Sequence, residues 1–466
     1  MTGKKEKENI QSAMKERIDY DELLNCTRCG FCLPSCPTYI ETGKNEVHSP
    51  RGRIALMKGL VDGEIEPSEE VKQSINMCLG CRACEPVCPS GVRFGHLLEQ
   101  ARDALHQHEK KSVPKKTIRN LVFNQLFPHQ NRMIRLTGLL GFYQRSGLRN
   151  TAKRLGIMKL LPDTLEMMEK VLPSVPTKRE MQQRPRHLLP INRSTKKVAF
   201  FAGCLMDTVF RQTNEATTKL LQYAGCEIVI PETQGCCGAL HGHSGEVNNA
   251  KEMAKRNIEA FEAADVDYII TNAGGCGAFL VDYGHLLRGE PEWQERAKAF
   301  SRKIKDVTSV LMDAGFDQLP LQVKERVVTY QDSCHLRNVQ RIFMEPRKLL
   351  QSIEGVRYVE MKDAGRCCGS AGIYNITESE MSMQILDYKM KQTKQTRAKT
   401  VVTANPGCLL QMKLGIEREG LFDQVEAVHI ADFLLEAYEN GQKHAEDNER
   451  NSTEEFHVGK TGKITH

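Results

Sequence analysis

The sequence predicts an α+β protein with several domains, in which a helix-rich domain comes first and a tandem duplicated α/β domain follows. Two runs of four cysteines with the same spacing lie within the first hundred residues. A different cysteine pattern occurs twice in the second half, where short apolar strands alternate with helices. The chain has 466 residues, of which 40% are hydrophobic, so it has room for about three domains with real cores.

The composition also indicates where the protein works. No apolar run approaches the roughly 20 residues of a membrane-spanning helix, and the first 24 residues lack the apolar stretch of a secretory signal. We therefore expect a cytoplasmic protein. In a reducing compartment its 17 cysteines are expected to bind metal or to take part in redox chemistry rather than to form disulfides.

The two N-terminal runs, Cys26–Pro37 and Cys78–Pro89, both read C-x2-C-x2-C-x3-C-P. This is the spacing of [4Fe-4S] sites in bacterial ferredoxins, where the fourth cysteine of each run binds the other cluster. Buried free cysteines or zinc sites would also use cysteines, but zinc sites place their four ligands in two pairs. The spacing therefore predicts two [4Fe-4S] clusters. Their expected ligands are Cys26, Cys29, Cys32 and Cys88 for the first cluster, and Cys78, Cys81, Cys84 and Cys36 for the second.

Helical patterns surround these runs, so we expect a helix-rich two-cluster domain at residues 20–109, after a charged N-terminal segment at residues 1–19. One pattern follows the sequence SPRGR and contains Ile54, Met57 and Leu60, and others run through 71–77 and 92–105. Arg51 and Arg53 are candidates to neutralise the charge of a reduced cluster. It is equally consistent with the sequence that both arginines are solvated at the surface.

The second half of the chain contains an internal repeat. A single cysteine, a Cys-Cys-Gly sequence and another single cysteine follow one another twice, and the matching cysteines are 130 to 132 residues apart. Such constant offsets indicate a tandem duplication, which we place at residues 196–322 and 323–439. The candidate metal ligands are Cys204, Cys236, Cys237 and Cys276 in the first repeat, and Cys334, Cys367, Cys368 and Cys408 in the second.

Each repeat reads as an α/β unit with a parallel sheet, because short apolar strands such as KKVAF and ERVVTYQ alternate with helices. Sites in such folds lie at the carboxyl ends of the strands, where these cysteines occur. The four thiols of a repeat therefore either hold an additional iron-sulfur cluster or pack as buried residues. Cys226 has no counterpart and is expected in the core. His241 and His243 are expected to have a polar role in a loop rather than to bind metal.

Between the two halves, residues 110–195 are predicted to form basic amphipathic helices and a linker. There is no Asp or Glu from Lys110 to Pro162. Basic helices of this kind contact anionic membrane surfaces, pack on the preceding domain or dock an acidic partner. Nucleic acid is not expected, because no nucleic-acid-binding motif accompanies the charge. The last segment, residues 440–466, has few apolar residues and is predicted to be disordered.

The motifs SPRGRIALM, GCCGA, GCGAF, CCGSAG and TAN-x-GC resemble those of glycolate oxidase iron-sulfur subunits, over roughly residues 20–436. The wider family includes iron-sulfur subunits of anaerobic glycerol-3-phosphate dehydrogenase and of heterodisulfide reductase. The resemblance implies an oxidoreductase complex in which an FAD-containing 2-hydroxy acid oxidase subunit converts glycolate to glyoxylate. This chain would then carry the electrons to a quinone or another acceptor, with a peripheral position on the cytoplasmic face of the membrane as one possibility. We expect no catalytic residue here, because the chain has no G-x-G-x-x-G motif and no P-loop.

One departure from the wider family bears on the choice of function. Members that reduce disulfides complete the last cysteine motif as C-x-x-C, but this chain has Phe279 and Gln411 at those positions. This argues against a heterodisulfide reductase-like activity. Two further hypotheses are an iron-sulfur subunit of a D-lactate or glycerol-3-phosphate dehydrogenase, and a cluster-based redox sensor.

Overall fold

The computed structural model describes residues 2–108, 116–117, 119–156, 163–191 and 196–458. Within these ranges, no helix is both long enough and apolar enough to cross a membrane. The chain folds into an N-terminal helical domain, a helical middle segment and two α/β repeats.

The N-terminal domain contains six α-helices and a short 3-10 helix at Glu46–His48. The α-helices are α1 (Thr2–Arg17), α2 (Tyr20–Leu24), α3 (Pro37–Glu41), α4 (Pro50–Asp62), α5 (Glu69–Asn76) and α6 (Phe94–His108). The sequence SPRGR predicts the start of a helix, and α4 begins within it. Pro50 occupies the first turn, and the Ser49 hydroxyl accepts a 2.9 Å hydrogen bond from the Gly52 amide. Gly63 ends α4 in the left-handed conformation, with φ of 78°.

The core of this domain also includes α1. Ile10 and Met14 of α1 are fully buried with Met57 and Leu97. Because these side chains lie on one face of α1, the helix packs against α4 and α6. The segment at residues 1–19, which the sequence sets apart from the two-cluster domain, therefore contributes a helix to the core of that domain.

The middle segment is helical over most of its described length. Its elements are a π-helix at Asn120–Leu126 and the α-helices α7 (Gln130–Arg145), α8 (Leu148–Arg154), α9 (Asp163–Val171) and α10 (Lys178–Gln182). Met133, Ile134, Thr137 and Gly141 form the buried face of α7.

The first repeat contains five strands and seven helices. The strands are β1 (His187–Leu188), β2 (Lys196–Phe200), β3 (Cys226–Val229), β4 (Tyr268–Thr271) and β5 (Ile304–Asp306). The helices are α11 (Arg211–Tyr223), α12 (Ala239–His243), α13 (Val247–Glu262), α14 (Gly274–Val281), α15 (Tyr283–Leu286), α16 (Pro291–Lys303) and α17 (Val307–Asp313). β1 lies in the stretch that the sequence predicts to be a linker.

The second repeat begins after a 3-10 helix at Phe316–Gln318. Its strands are β6 (Gln322–Gln331), β7 (Glu354–Tyr358), β8 (Thr400–Thr403) and β9 (Glu426–His429). Its helices are α18 (Cys334–Asn338), α19 (Met344–Gln351), α20 (Tyr374–Thr377), α21 (Ser379–Thr396), α22 (Pro406–Arg418) and α23 (Ile430–Val458).

The two sheets have the same topology, as expected for a duplication. The first has the order β1-β3-β2-β4-β5, and the second has the order β7-β6-β8-β9. All pairings are parallel except that of β1, which adds an antiparallel edge to the first sheet. Val198 pairs with Ile228 and Tyr268, and Val328 occupies the equivalent central position between Tyr358 and Thr400. The three cysteine-bearing segments of each repeat therefore leave matching edges of the two sheets.

One continuous apolar core joins both sheets. It contains Phe200 and Ile228 from the first repeat, Tyr330 from the second, and Phe433 from α23. The helix α23 then continues to Val458, where the sequence predicts disorder from residue 440 onward. The side chains of residues 443–447 are exposed, so this part of the helix has no apolar stripe from which it could have been recognised.

Candidate iron-sulfur sites

The structure brings the four predicted ligands of the first cluster together. Cys26, Cys29, Cys32 and Cys88 line one cavity together with Cys84, so two cysteines of the second run reach it. The loop between the first three cysteines turns sharply because Arg28 and Gly30 both adopt the left-handed conformation, with φ of 57° and 88°. Cys29 is exposed, so this site lies at the protein surface.

The predicted ligands of the second cluster are buried deeper. Burial raises the pKa of the Cys84 thiol well above its usual range, and the neighbouring thiols, including Cys36, raise it further. Burial also raises the pKa of Cys81, and both Cys334 and Cys36 add to the effect. Cys36 of the first run therefore lies near Cys81 and Cys84 of the second run, and it also adds to the effect of burial in raising the pKa of Cys32 in its own run. Thiols held in this way become thiolates when a metal supplies the compensating charge.

Arg53 supports the fit of an anionic cluster at this second site. Its side chain is fully buried, although the sequence left a solvated position open. Nε donates to the Ser74 carbonyl at 2.7 Å and Nη2 donates to the Thr38 hydroxyl at 3.1 Å, while Nη1 has no hydrogen-bond partner in the described part of the chain. The Thr38 hydroxyl is in turn 3.3 Å from the Cys36 sulfur. A buried cation without an anionic partner is costly, and a cluster held by four thiolates would supply the missing negative charge.

Arg51 has a different environment. It forms an ion pair with Glu46 at 2.6 Å and donates from Nη1 to the Arg28 carbonyl at 3.0 Å. It also lines the first cavity. Arg51 therefore stabilises the loop around the first site from the surface, whereas Arg53 is a buried charge at the second site.

The first repeat brings its four candidate ligands together. Cys204 follows β2, Cys236 and Cys237 follow β3, and Cys276 lies in α14 after β4. The sulfurs of Cys204 and Cys236 are 3.6 Å apart, and Cys237 contacts both Cys236 and Cys276. The hydrogen bond with Cys236 raises the pKa of Cys204 well above its usual range, and burial adds to this effect.

The second repeat has the same arrangement of thiols. Cys334 contacts Cys367, and Cys368 contacts Cys367 and Cys408. The hydrogen bond with Cys367 and burial raise the pKa of Cys334 well above its usual range. All 17 cysteines of the chain are free thiols. In the ranges that the structure describes, no three His, Cys, Asp or Glu side chains are grouped as a single metal ion would require.

The backbone conformation explains why glycine follows the two cysteines in each Cys-Cys-Gly sequence. Gly238 and Gly369 have φ of 85° and 93°, in the left-handed region. A Cβ atom on Gly369 would come 2.6 Å from the Ser382 carbonyl oxygen. Only glycine therefore fits this turn without strain, and the turn directs the two preceding cysteines toward the other thiols of the repeat.

The remaining candidates from the sequence bind protein groups. Cys226 is buried in the core that joins the two sheets, as predicted. His241 is fully buried, and its Nε2 lies 2.7 Å from the Phe123 carbonyl. The Nδ1 atom of His243 lies 2.7 Å from a carboxylate oxygen of Glu99 in α6. Both histidines have polar roles, as predicted, but they lie in the short helix α12 rather than in a loop.

Lys389 is a residue of the site that the sequence reasoning missed. It lies fully buried in α21, and its Nζ donates to the Asp363 carbonyl at 2.7 Å. Burial lowers its pKa to about 8, although the nearby thiols of Cys368 and Cys367 favour the charged form. In the sequence, the one indication that Lys389 is buried is its position one helical turn after the apolar Ile385. The residue 131 positions earlier in the first repeat is Ile258, so only the second repeat has this buried charge.

The second repeat contacts the loop that holds the second site. The Asn338 amide donates to the Cys81 carbonyl at 2.9 Å, and the His335 Nε2 lies 2.9 Å from the Gly80 carbonyl. The Tyr374 hydroxyl donates to the Met77 carbonyl at 2.9 Å.

The thiols of the second site also pack with those of the repeats. Cys81 and Cys367 lie in one buried cluster, with Cys334 packed against it. Cys276 of the first repeat packs against the core that contains Cys368 and Cys408. The second N-terminal site is therefore next to the thiols of the second repeat, and these are next to a thiol of the first repeat.

Comparison with known protein families agrees with this organisation. Residues 22–92 match the 4Fe-4S dicluster domain, residues 114–172 match the linker region of the glycolate oxidase iron-sulfur subunit, and residues 198–281 and 328–413 each match the cysteine-rich domain.

Several relatives are similar over much of the chain. The probable glycolate oxidase iron-sulfur subunit of Bacillus subtilis (strain 168) is 62% identical over 438 residues, which cover 94% of this chain and 99% of the relative. The glycolate oxidase iron-sulfur subunit of Escherichia coli (strain K12) is 30% identical over 84% of this chain and 90% of its own length. Lactate utilization protein A of Geobacillus thermodenitrificans (strain NG80-2) is 34% identical over 51% of this chain and 98% of its own length.

Proposed function

Because the chain belongs to the family of glycolate oxidase iron-sulfur subunits, we propose that it carries electrons from a flavoprotein subunit through a series of clusters to an acceptor. The partner subunit contains FAD and oxidises glycolate to glyoxylate. The two electrons released then pass one at a time through this chain to a quinone or another carrier. Clusters supply the one-electron chemistry, and the protein fixes their distances and their electrostatic environment.

In this proposal the chain holds two [4Fe-4S] clusters at the crossed N-terminal sites and one further cluster in each repeat. The ligands are the sixteen cysteines that the sequence singles out. The cavity lined by Cys26, Cys29, Cys32 and Cys88 supports the first cluster, and the unpartnered guanidinium nitrogen of Arg53 supports the second. In each repeat, four thiols that form a chain of contacts, three of them buried and one half-buried, support a cluster.

The observation that carries the proposal is the contact between Cys81 and Cys334. The two thiols are close enough to raise the pKa of Cys81, although one belongs to the N-terminal domain and the other to the second repeat. The backbone around Cys81 is fixed by Asn338 of the second repeat. In this proposal, an electron that reaches the second N-terminal cluster therefore next passes to the cluster of the second repeat.

A second candidate substrate is lactate, another 2-hydroxy acid. It is favoured by the 34% identity to lactate utilization protein A over half of this chain. Glycolate has the stronger support, because the probable glycolate oxidase subunit of Bacillus subtilis matches 94% of the chain at 62% identity.

The test is anaerobic reduction by substrate. The chain is purified from its own host with the proteins that accompany it, and glycolate, D-lactate and glycerol 3-phosphate are added separately. Loss of cluster absorbance with glycolate alone supports the proposal. Loss of cluster absorbance with D-lactate alone would show that lactate, the second candidate, is the substrate. If a flavoprotein is present and none of the three substrates reduces the clusters, the electron-transfer proposal for 2-hydroxy acids is wrong.

A further inference from the structure

We propose that the exposed face of α7 binds the protein to the surface of a membrane that contains anionic phospholipid. We call this face the α7 patch, and it consists of Arg132, Arg135, Leu136, Leu139 and Phe142. The inference does not depend on the substrate or on the order of electron transfer, because it rests on the exposed residues and the charge of the middle segment and on the cleft beside it.

The apolar side chains of the α7 patch point away from the protein. Leu136, Leu139 and Phe142 are 50%, 67% and 61% exposed, while Met133 and Ile134 on the opposite face are buried. A helix that is apolar on both faces is normally covered on both. Within the described ranges, six of the 17 exposed large apolar side chains lie in residues 121–155: Leu121, Leu136, Leu139, Phe142, Leu148 and Leu155. Such a concentration marks an interaction surface.

The charge of the same surface has one sign. The sequence has no acidic residue from Lys110 to Pro162, and Arg132 and Arg135 are both exposed on the apolar face of α7. Arg132 hydrogen-bonds to the carbonyl of Gln125 at 2.7 Å and to the side chain of the same residue, so both of these partners are neutral. In the part of the chain that the structure describes, neither arginine forms an ion pair. The patch is therefore suited to an anionic partner.

A cleft between α7 and the first repeat adds a place for an anionic head group. Its lining includes four arginines and two carboxylates, namely Arg132, Arg135, Arg184, Arg256, Asp207 and Glu232. Asp207 already accepts hydrogen bonds from Arg184 at 2.9 Å and from Gln130 at 3.1 Å. Glu232 forms an ion pair with Arg186. Arg256 donates to the Pro128 carbonyl at 3.0 Å. Arg132, Arg135 and Arg256 are thus available for phosphate oxygens, which arginine binds well.

A lipid surface fits these features better than an acidic protein does. The exposed apolar residues of the patch are all Leu and Phe, and none of them lines the cleft. Basic helices of this type lie in the plane of the membrane, with Leu and Phe in the acyl boundary and arginines at the phosphates. The cleft is also lined by Gly235, next to Cys236. Membrane binding would therefore bring the thiol set of the first repeat close to the lipid.

Vesicle flotation of the full, cluster-containing chain tests the proposal. Vesicles of phosphatidylcholine alone are compared with vesicles that also contain phosphatidylglycerol. We expect at least tenfold more bound protein on the anionic vesicles, and a decrease of binding at high salt because the arginine contribution is screened. No preference for anionic vesicles would overturn the proposal.

Matched variants locate the binding surface. We expect Leu139→Ser with Phe142→Ser, and separately Arg132→Gln with Arg135→Gln, to reduce binding at least fivefold. The controls are Phe422→Ser, which removes a Phe that is 63% exposed outside the patch, and Arg302→Gln, which removes an exposed arginine of α16. Equal losses in the control variants would overturn the proposal. Iron content, measured on every variant, shows that the protein has folded and kept its clusters.

Two further comparisons distinguish binding to lipid from binding to other partners. If millimolar inorganic phosphate abolishes vesicle binding and the Leu139 and Phe142 variants have no effect, the cleft binds a free anion and the lipid proposal is wrong. If the patch variants bind vesicles normally but lose the accompanying flavoprotein, the patch is a protein interface and the proposal is also wrong. Both readouts are taken without substrate, so they are independent of the electron-transfer proposal.

Discussion

The side-chain amide of Asn338 donates a 2.9 Å hydrogen bond to the backbone carbonyl of Cys81, across 257 residues of sequence. This contact joins the loop of a predicted cluster ligand to the helix that begins with Cys334. A backbone that is fixed in this way holds the two thiol sets at a constant distance. Since electron transfer depends on distance, a fixed contact of this kind is what the proposed transfer between the N-terminal domain and the second repeat requires.

Replacing Cys334 should interrupt the path while leaving the N-terminal clusters in place. We expect Cys334→Ser to reduce glycolate-dependent reduction of an artificial acceptor by the intact complex at least tenfold. Flavin reduction in the partner subunit should persist, because it precedes this chain. The control is Cys226→Ser, which alters a buried cysteine that contacts none of the thiol sets. Full turnover of Cys334→Ser would show that electrons bypass the second repeat.

Arg53 should raise the reduction potential of the second N-terminal cluster. Removing a buried positive charge makes it harder to add an electron, so Arg53→Met should lower this potential by roughly 60 mV or more, the one-electron equivalent of about 1.4 kcal/mol. A redox titration followed by electron paramagnetic resonance measures the shift. Arg51→Met is the matched control and should have a smaller effect, because Arg51 is partly exposed and paired with Glu46. Equal shifts in the two variants would refute a special role for Arg53.

Gly369 should tolerate no side chain. Gly369→Ala forces a left-handed alanine and places its Cβ 2.6 Å from the Ser382 carbonyl. Gly420→Ala is a fair control, because Gly420 has φ of 64° and nothing within 4 Å of the added atom. We expect the control to lower the free energy of unfolding by about 1–2 kcal/mol, and Gly369→Ala to lower it by more. Chemical denaturation of both variants measures the difference, and equal stability would contradict the steric account.

His429 should make the repeats sensitive to acid. Its Nε2 lies 3.0 Å from the Asn272 carbonyl and its Nδ1 accepts a hydrogen bond from the Ala431 amide at 3.2 Å, so the folded state requires the neutral ring. Burial lowers the pKa of His429 to about 4. The unfolded chain takes up a proton below about 6.5, so this contribution to stability is present at neutral pH and lost as the pH falls toward 4.

The size of this effect can be isolated with His429→Gln. Between pH 7 and pH 5, the wild type should lose about 2 kcal/mol more of its unfolding free energy than the variant does. Urea denaturation at the two pH values under anaerobic conditions provides the comparison. A parallel loss in both proteins would mean that other groups control the acid sensitivity.

Much of the site was predictable because it is encoded locally. The spacing of Cys26, Cys29 and Cys32 fits one loop around a cluster, and the fixed offset of the Cys-Cys-Gly sequences reports the duplication directly. The start of α4 was predictable from Ser49 and Pro50, which satisfy the requirements of a helix N-terminus.

The features that were missed depend on tertiary packing. The strands β5 and β9 have only three and four residues, too few for a clear periodic pattern. The burial of Arg53 and Lys389 depends on neighbours from other elements, so a charged residue in a helical pattern gave no indication of it. In α1 a signal was present, because Ile10, Ala13 and Met14 have helical spacing within an otherwise charged segment.

The central claim is that all four thiol sets hold clusters, so that electrons can pass from the N-terminal domain into the repeats. It is tested most directly by the iron and acid-labile sulfide content of the anaerobically purified chain, compared with that of Cys334→Ser. The account predicts about sixteen irons per chain for four [4Fe-4S] clusters, and about twelve in the variant. About eight irons in both proteins would contradict it, because the repeats would then hold no cluster and the path would end at the second N-terminal site.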